Sequence, residues 1–280
     1  MKTNYHTHTN FCDGNSSPED MVKAAIQKDF GILGFSSHSM YPFSSDWHVS
    51  FRDHPLYASE ISRLKEKYSD RIKILLGFEA DFIQGVCAPD FSRYADFKPD
   101  FLIGAVHYVP GENGFFEADG SFIETREKIN SVYGGDRKKA VQAYFDFERT
   151  MIKTCNFTIL AHCDLIRKQN SIKAPDRLFD ESESWYKNEI RETAKIIAES
   201  GVCVEINTGG MSRGYLDSPY PSEEFLGLLY ERNVPITLSS DAHAPDHLDF
   251  GFDGAIDLAK KIGYREIQYF DEGKMIARKI

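Results

Sequence analysis

The chain has no C-x-x-C pair, no Lys/Arg-rich tract and no apolar stretch long enough to cross a bilayer. Five cysteines (Cys12, Cys87, Cys155, Cys163 and Cys203) are scattered and odd in number, which excludes a disulfide framework and points to reduced, cytoplasmic thiols. No apolar signal region opens the sequence, and no repeat or low-complexity linker interrupts it, so residues 1–280 read as one domain. Positive charge is the minority: 33 Lys and Arg against 43 Asp and Glu give a formal charge of -10. That balance disfavours a nucleic-acid or membrane partner. An acidic protein that handles an anionic small molecule needs local positive charge, which bound metal ions supply.

What is present is an alternation of short apolar strands with amphipathic helices. Strands are expected at Lys2–Thr9, Ile32–His38, Ile72–Glu79, Phe101–His107, Phe157–His162, Val202–Asn207 and Pro235–Asp241, and a terminal one at Glu266–Phe270. Helices are expected from Ser17, capped by Ser17 with Pro18 at the first helical position, and over His54–Tyr68, Arg137–Thr154, Ser182–Ser200, Ser222–Glu231 and Asp253–Ile262. Val109–Tyr133, rich in Gly and aromatics, reads as a long loop, a candidate lid. Near-continuous apolar strands alternating with helices imply a parallel sheet covered on its outer faces.

Six of the nine histidines stand at strand ends or just beyond: His6, His8, His38, His107, His162 and His243. Asp13, Glu79 and Asp241 occupy comparable places. In an open sheet such ends spread along a line, whereas in a barrel they converge on one mouth. The pattern favours an α/β barrel, with an open doubly wound sheet as the alternative. His6 and His8 share a face because strand side chains alternate, and the same parity turns Cys163 away from His162 and excludes it as a ligand. Asp81 and Asp164 are candidates to support the ligands from behind. Carboxylates mixed with imidazoles suit Zn, Mn or Fe, and nine such groups spread along the chain differ from a closed four-ligand structural site.

These residues resemble the motifs of the polymerase-and-histidinol-phosphatase (PHP) superfamily: His6-Thr7-His8, Asp13-Gly14, His38, Gly77-Phe78-Glu79, Gly104-Ala105-Val106-His107, Ala161-His162-Cys163-Asp164 and Ser240-Asp241-Ala242-His243. Gly-Phe-Glu-Ala-Asp, His-Cys-Asp-Leu-Ile-Arg and Glu-Ile-Asn-Thr-Gly-Gly-Met-Ser-Arg-Gly are similar to the histidinol-phosphatase branch. The resemblance implies a distorted (β/α)7 TIM-like barrel with three divalent metal ions at its mouth. His6, His8, Glu79 and Asp241 would hold the first, Glu79, His107 and His162 the second, and Asp13, His38 and His243 the third. Many members have His in place of Asp13.

The implied activity is hydrolysis of a phosphate monoester, L-histidinol phosphate, in histidine biosynthesis, through a hydroxide bridging two metals. Glu79, Asp241 and His243 would be the catalytic groups, with Asp241 or a metal-bound water as acid for the leaving alkoxide. Arg167 and Arg213 are the candidate phosphate contacts, because an arginine fork matches phosphate bidentately; a solvated loop arginine is the competing reading of each. Asn207 is expected to orient substrate or to cap its strand. Three other functions compete: a PHP-type phosphoesterase acting on nucleotides or other small phosphate esters, an amidohydrolase, and a non-catalytic metal-binding barrel. An amidohydrolase of the lysine-bridged type would want a strand-end lysine where this chain has Glu79.

Overall fold

The computed structural model describes residues 1–271 and 273–280. Seven parallel strands follow one another around the sheet in chain order: β1 (Lys2–Asn4), β2 (Phe30–Phe35), β3 (Lys73–Asp81), β4 (Phe101–Ala105), β5 (Ile159–Leu160), β6 (Cys203–Asn207) and β7 (Ile236–Ser239). Closure comes just beyond the last ladder. His8 N–H donates to Ala242 O at 2.8 Å and Ala242 N–H to His6 O at 3.0 Å, so the first and last strands meet at their C-terminal ends. The architecture is the α/β barrel that the strand-end pattern favoured, nearly closed and in the distorted TIM-like form that the resemblance implied.

Helices α1 (Pro18–Gln27), α2 (His54–Lys67), α3 (Phe122–Tyr133), α4 (Arg137–Thr154), α5 (Ser184–Ser200), α6 (Glu223–Tyr230) and α7 (Phe252–Ile262) cover the outside. Their starts are set locally. The Ser17 side chain accepts from Asp20 N–H with Pro18 at the first helical position, and Ser222 accepts from Phe225 N–H. The apolar stripes of the helices pack on the outward faces of the strands as one continuous core that includes Met21, Ile61, Phe78, Tyr144, Ile197 and Leu229.

Inside the barrel lies a second apolar cluster of Tyr5, Ile32, Leu75, Phe101, Ile103, Ala105, Ile159, Ala161 and Phe270. The Phe101 ring occupies room left by Gly34 and Gly77: a Cβ at Gly77 would sit 2.5 Å from it. Below this layer, the hairpin Glu266–Asp271/Lys274–Lys279 closes the bottom. Thr237 donates to Gln268 O at 2.9 Å, and Phe270 N–H donates to the Tyr5 hydroxyl at 2.7 Å. Only the first of these two strands had been expected. Among the described residues, no helix is long and apolar enough to cross a membrane.

The Val109–Tyr133 excursion is not a loop. It forms a hairpin (Tyr108–Gly111 with Gly114–Glu117) and then α3. The helix carries its own signals: Ser121 accepts from Glu124 N–H and donates back to the Glu124 carboxylate, and Gly134 ends it with φ at 61°. The first strand also differs, because its ladder stops at Asn4 and Tyr5–Thr9 continue through a single bridge at Thr7. Likewise, β2 ends at Phe35, and His38–Ser39 pair separately with Glu79–Ala80.

Gly77→Ala is expected to cost about 1–3 kcal/mol, since the new methyl has to displace the Phe101 ring. Urea denaturation of the variant beside the parent measures it, and an unchanged midpoint would refute this account of the barrel interior.

Candidate metal centre

The mouth of the barrel is organised around Glu79, whose side chain is 1% exposed. Its Oε2 lies 3.0 Å from His6 Nε2, 3.5 Å from His8 Nε2 and 2.8 Å from His38 Nδ1. The other oxygen, Oε1, lies 3.0 Å from His162 Nε2 and 3.4 Å from His107 Nε2. One carboxylate thus faces five imidazoles contributed by the segments that follow β1, β2, β4 and β5. Asp241 Oδ1 stands 3.1 Å from His8 Nε2 and 3.8 Å from His6 Nε2. Asp13 Oδ2 stands 3.1 Å from His243 Nε2 and 3.8 Å from His38 Nε2. All nine residues selected from the sequence therefore meet in one place.

Four overlapping groups have ligand atoms within 4.8 Å of one another: His8, Asp13, His38 and His243; His6, His162 and Asp241; His6, His8 and Glu79; and His38, Glu79 and His107. The partition differs from the one that the resemblance implied. His8 joins the Asp13 group, and His38 stands beside Glu79 and His107 as well as beside Asp13.

The buried chemistry fits metal. His6 Nε2, His8 Nε2, His38 Nδ1 and Glu79 Oε2 are buried polar atoms with no hydrogen-bond partner, and all point into the cluster. Leaving such atoms unsatisfied costs about 1–3 kcal/mol each, so convergence of four calls for a cation between them. Electrostatics agree. Burial works against charge on both Glu79 and Asp241, yet the surrounding imidazoles, with Arg213 for Asp241, hold both carboxyls well below their usual range. Burial, together with His243 and His38, pushes His8 down to about 3 and leaves it a neutral donor.

Supporting groups hold these ligands from behind. His6 Nδ1 lies 3.0 Å from both oxygens of Glu205, which also accepts from His162 N–H at 3.1 Å. Asp81 Oδ1 accepts from His107 Nδ1 at 2.6 Å. Asp241 has φ at 49°, a left-handed conformation that Asp tolerates better than most residues, and it packs on Gly209, where a Cβ would lie 2.7 Å from its carboxylate. Cys163 is buried in the outer core, away from the ligands.

A cavity of about 290 Å³ opens above the cluster, lined by Asp13, His38, His107, His162, Asp241 and His243 together with Trp47, Glu117, Asp119, Lys168, Arg213 and Tyr215. Arg213 reaches it, with its guanidinium donating to Asp241 Oδ2 at 2.9 Å and to Asp241 O at 3.1 Å. Arg167 does not. Its guanidinium is spent on Glu181 at 2.9 Å, Pro219 O at 3.1 Å and Ser218 at 3.1 Å, with Asp164 3.5 Å away. Asp164 accordingly pairs with Arg167 and accepts from Ser222 N–H, and supports no ligand. The second cation in the cavity is Lys168, whose ammonium lies over the Tyr215 ring at 4.6 Å and donates to Asp119 O. Asn207 is turned into the wall: it donates to Glu205 at 2.7 Å and accepts from Gly209 N–H at 2.8 Å, which is the strand-capping alternative.

Comparison with known proteins follows this geometry. The model of the PHP domain matches residues 4–209. The chain belongs to the PHP domain family. Curated PHP relatives include a probable histidinol-phosphatase of Deinococcus radiodurans, 24% identical over 94% of this chain and 95% of that protein. Another, from Schizosaccharomyces pombe, is 26% identical over 98% and 90%. Two solved structures share the fold. A putative histidinol phosphatase of Listeria monocytogenes has a TM-score of 0.79 at 23% identity, covering 90% of this chain and 99% of that one. A histidinol phosphate phosphatase of Lactococcus lactis, solved with zinc, L-histidinol and phosphate, has a TM-score of 0.73 at 22% identity, covering 98% of each. In this PHP chain Asp241 and His243 lie beyond the matched span, yet complete the cluster.

Glu205→Gln is expected to lower metal affinity about 10–100-fold while the fold is kept, because His6 loses its carboxylate. Zinc retained against a chelator series measures it; retention equal to the parent would remove Glu205 from the supporting set.

Proposed function

We propose that residues 1–280 work as one metal-dependent phosphomonoesterase barrel that hydrolyses L-histidinol phosphate to L-histidinol and phosphate. The observation that carries the reading is a cavity lined by six of the nine clustered ligand-type groups, with two cations, Arg213 and Lys168, in its wall. Relatives that match over nearly their whole length and carry the histidinol-phosphatase name support the choice of substrate.

Three divalent ions, of Zn, Mn or Fe, are the proposed complement. Bound there, they would lower the pKa of a water and neutralise phosphoryl charge. The protein's own groups do the rest. Glu79, between two sets of imidazoles, holds the spacing of the ligand groups. Arg213 bridges the ligand Asp241 and the open cavity, so it fixes the carboxylate while its edge offers charge to phosphoryl oxygens. Lys168 supplies the point charge expected earlier of Arg167. Asp241, kept ionised by Arg213 and His6, is suited to act as a ligand, and not to donate a proton to the leaving alkoxide. Glu117, Asp119, Trp47 and Tyr215 give the remaining wall acid and aromatic character, which complements an ammonium and an imidazole.

Phosphate release from histidinol phosphate, nucleoside monophosphates and an aryl phosphate tests the proposal on zinc- or manganese-loaded protein. Preference for histidinol phosphate, abolished by chelator, is expected; better turnover of nucleotides would overturn the substrate and keep the metal chemistry. Arg213→Ala is expected to lower kcat/KM by about 10²-fold or more, the scale of a lost preorganised donor. Lys168→Ala should lower it as well, whereas Arg167→Ala should act on stability. The reverse order in steady-state kinetics would restore Arg167 as the phosphate contact.

A further inference from the structure

His48 belongs to none of the ligand groups, yet it is 4% exposed and joined to the centre by one intermediary. Asp81 is shared between two imidazoles: Oδ1 accepts from His107 Nδ1 and Oδ2 from His48 Nε2 at 2.5 Å. The tautomers follow from these contacts. His107 carries its proton on Nδ1, which leaves Nε2 free beside Glu79, and His48 carries its proton on Nε2, with Nδ1 accepting from the Ser45 hydroxyl.

The neighbouring side chain makes this arrangement more than a buried hydrogen bond. Trp47 lies with its ring centroid 3.8 Å from that of His48, stacks on Tyr108 at 5.7 Å and meets the His38 and His107 rings edge-on at 4.7 and 5.5 Å. It also lines the cavity. The segment that carries Trp47 is irregular from Tyr41 to Ser50, and Val49 N–H donates to His38 O at 2.9 Å. A cavity wall is therefore tied to two ligand histidines, to His38 through the backbone and to His107 through His48 and Asp81.

We propose that His48 is a positioning residue that couples metal loading to closure of the Trp47 wall. By donating to the free oxygen of Asp81 it fixes the carboxylate that orients His107, and the same ring seats the indole. Linkage makes the effect reciprocal: metal that orders His107 favours the seated Trp47, and a seated Trp47 favours metal. The proposal rests on the cluster holding metal and is independent of which phosphate ester is hydrolysed.

Trp47 and Trp185 are the only tryptophans. Trp185 lies on α5, outside the cavity lining, so Trp185→Phe leaves Trp47 as the sole indole reporter. Zinc titrated into the metal-free Trp185→Phe protein is expected to shift Trp47 emission to a stoichiometric end point. Adding His48→Ala is expected to weaken zinc retention against a chelator about 10–100-fold and to abolish the emission shift. His48→Gln, whose amide can still donate to Asp81, should retain zinc within about threefold of the parent. A folded His48→Ala protein that retains zinc like its parent, or shows the same emission shift, overturns the proposal. Should that variant not fold, His48→Phe decides, because it keeps a ring beside Trp47 and cannot donate to Asp81: zinc retention lower by about tenfold or more supports the coupling, and near-parental retention refutes it. A parent that binds no zinc overturns this inference together with the metal centre, while the substrate is judged separately by phosphate release.

Discussion

The structure depends on a carboxylate placed where a carboxylate is costly. Glu79 is buried at the end of β3 among five imidazoles, and an uncompensated charge there would cost several kcal/mol (roughly) in a real protein interior. Imidazoles alone balance it only by taking up protons, and those protons would occupy the nitrogens that point inward. Divalent cations satisfy the carboxylate and the imidazoles together. The pressure to bind metal is thus built into the position of one side chain, and the barrel supplies the geometry that gathers its partners.

Two shells of support follow from that demand. Below, Phe101 against Gly34 and Gly77, with Phe270 of the terminal hairpin, makes a dry floor that limits how far the ligands can relax. Around the sides, Glu205 and Asp81 hold His6 and His107 by their outer nitrogens and so orient the rings. Above, the loops differ from floor and sides in composition: Arg213, Lys168, Glu117, Asp119 and Trp47 combine both signs of charge with an aromatic face.

How much of this was legible in the sequence depended on how local the signal was. Strand-end histidines were legible because a polar residue closing an apolar run is a one-dimensional pattern, and a barrel turns that pattern into a cluster. Arg167 and Lys168 were not separable, since adjacent residues on the short 3-10 helix Leu165–Asn170 point in different directions, and only the tertiary partners Glu181 and Pro219 show which one is spent. Glu205 carried a signal that went unused: an acid in the middle of the apolar run from Val202 to Ile206, on the same face as Asn207. The Ser121–Glu124 cap and the Gly111–Gly114 turn likewise marked structure inside a stretch read as a loop because of its Gly and aromatic content. His48 had no sequence signal at all; its role exists only because Asp81 faces it.

Closure of the barrel between His6–His8 and Ala242 has a consequence for the life of the chain on the ribosome. Seven of the nine ligand-type residues precede the strand that seats Asp241 against them, and only the closing helix and hairpin follow it. Until then the early histidines have only part of their coordination sphere, and the nascent barrel is an open parallel sheet with an unpaired edge. A product cut short before residue 241 would carry seven of the nine ligand-type residues without Asp241 or the Ala242 contacts that join the two ends of the sheet.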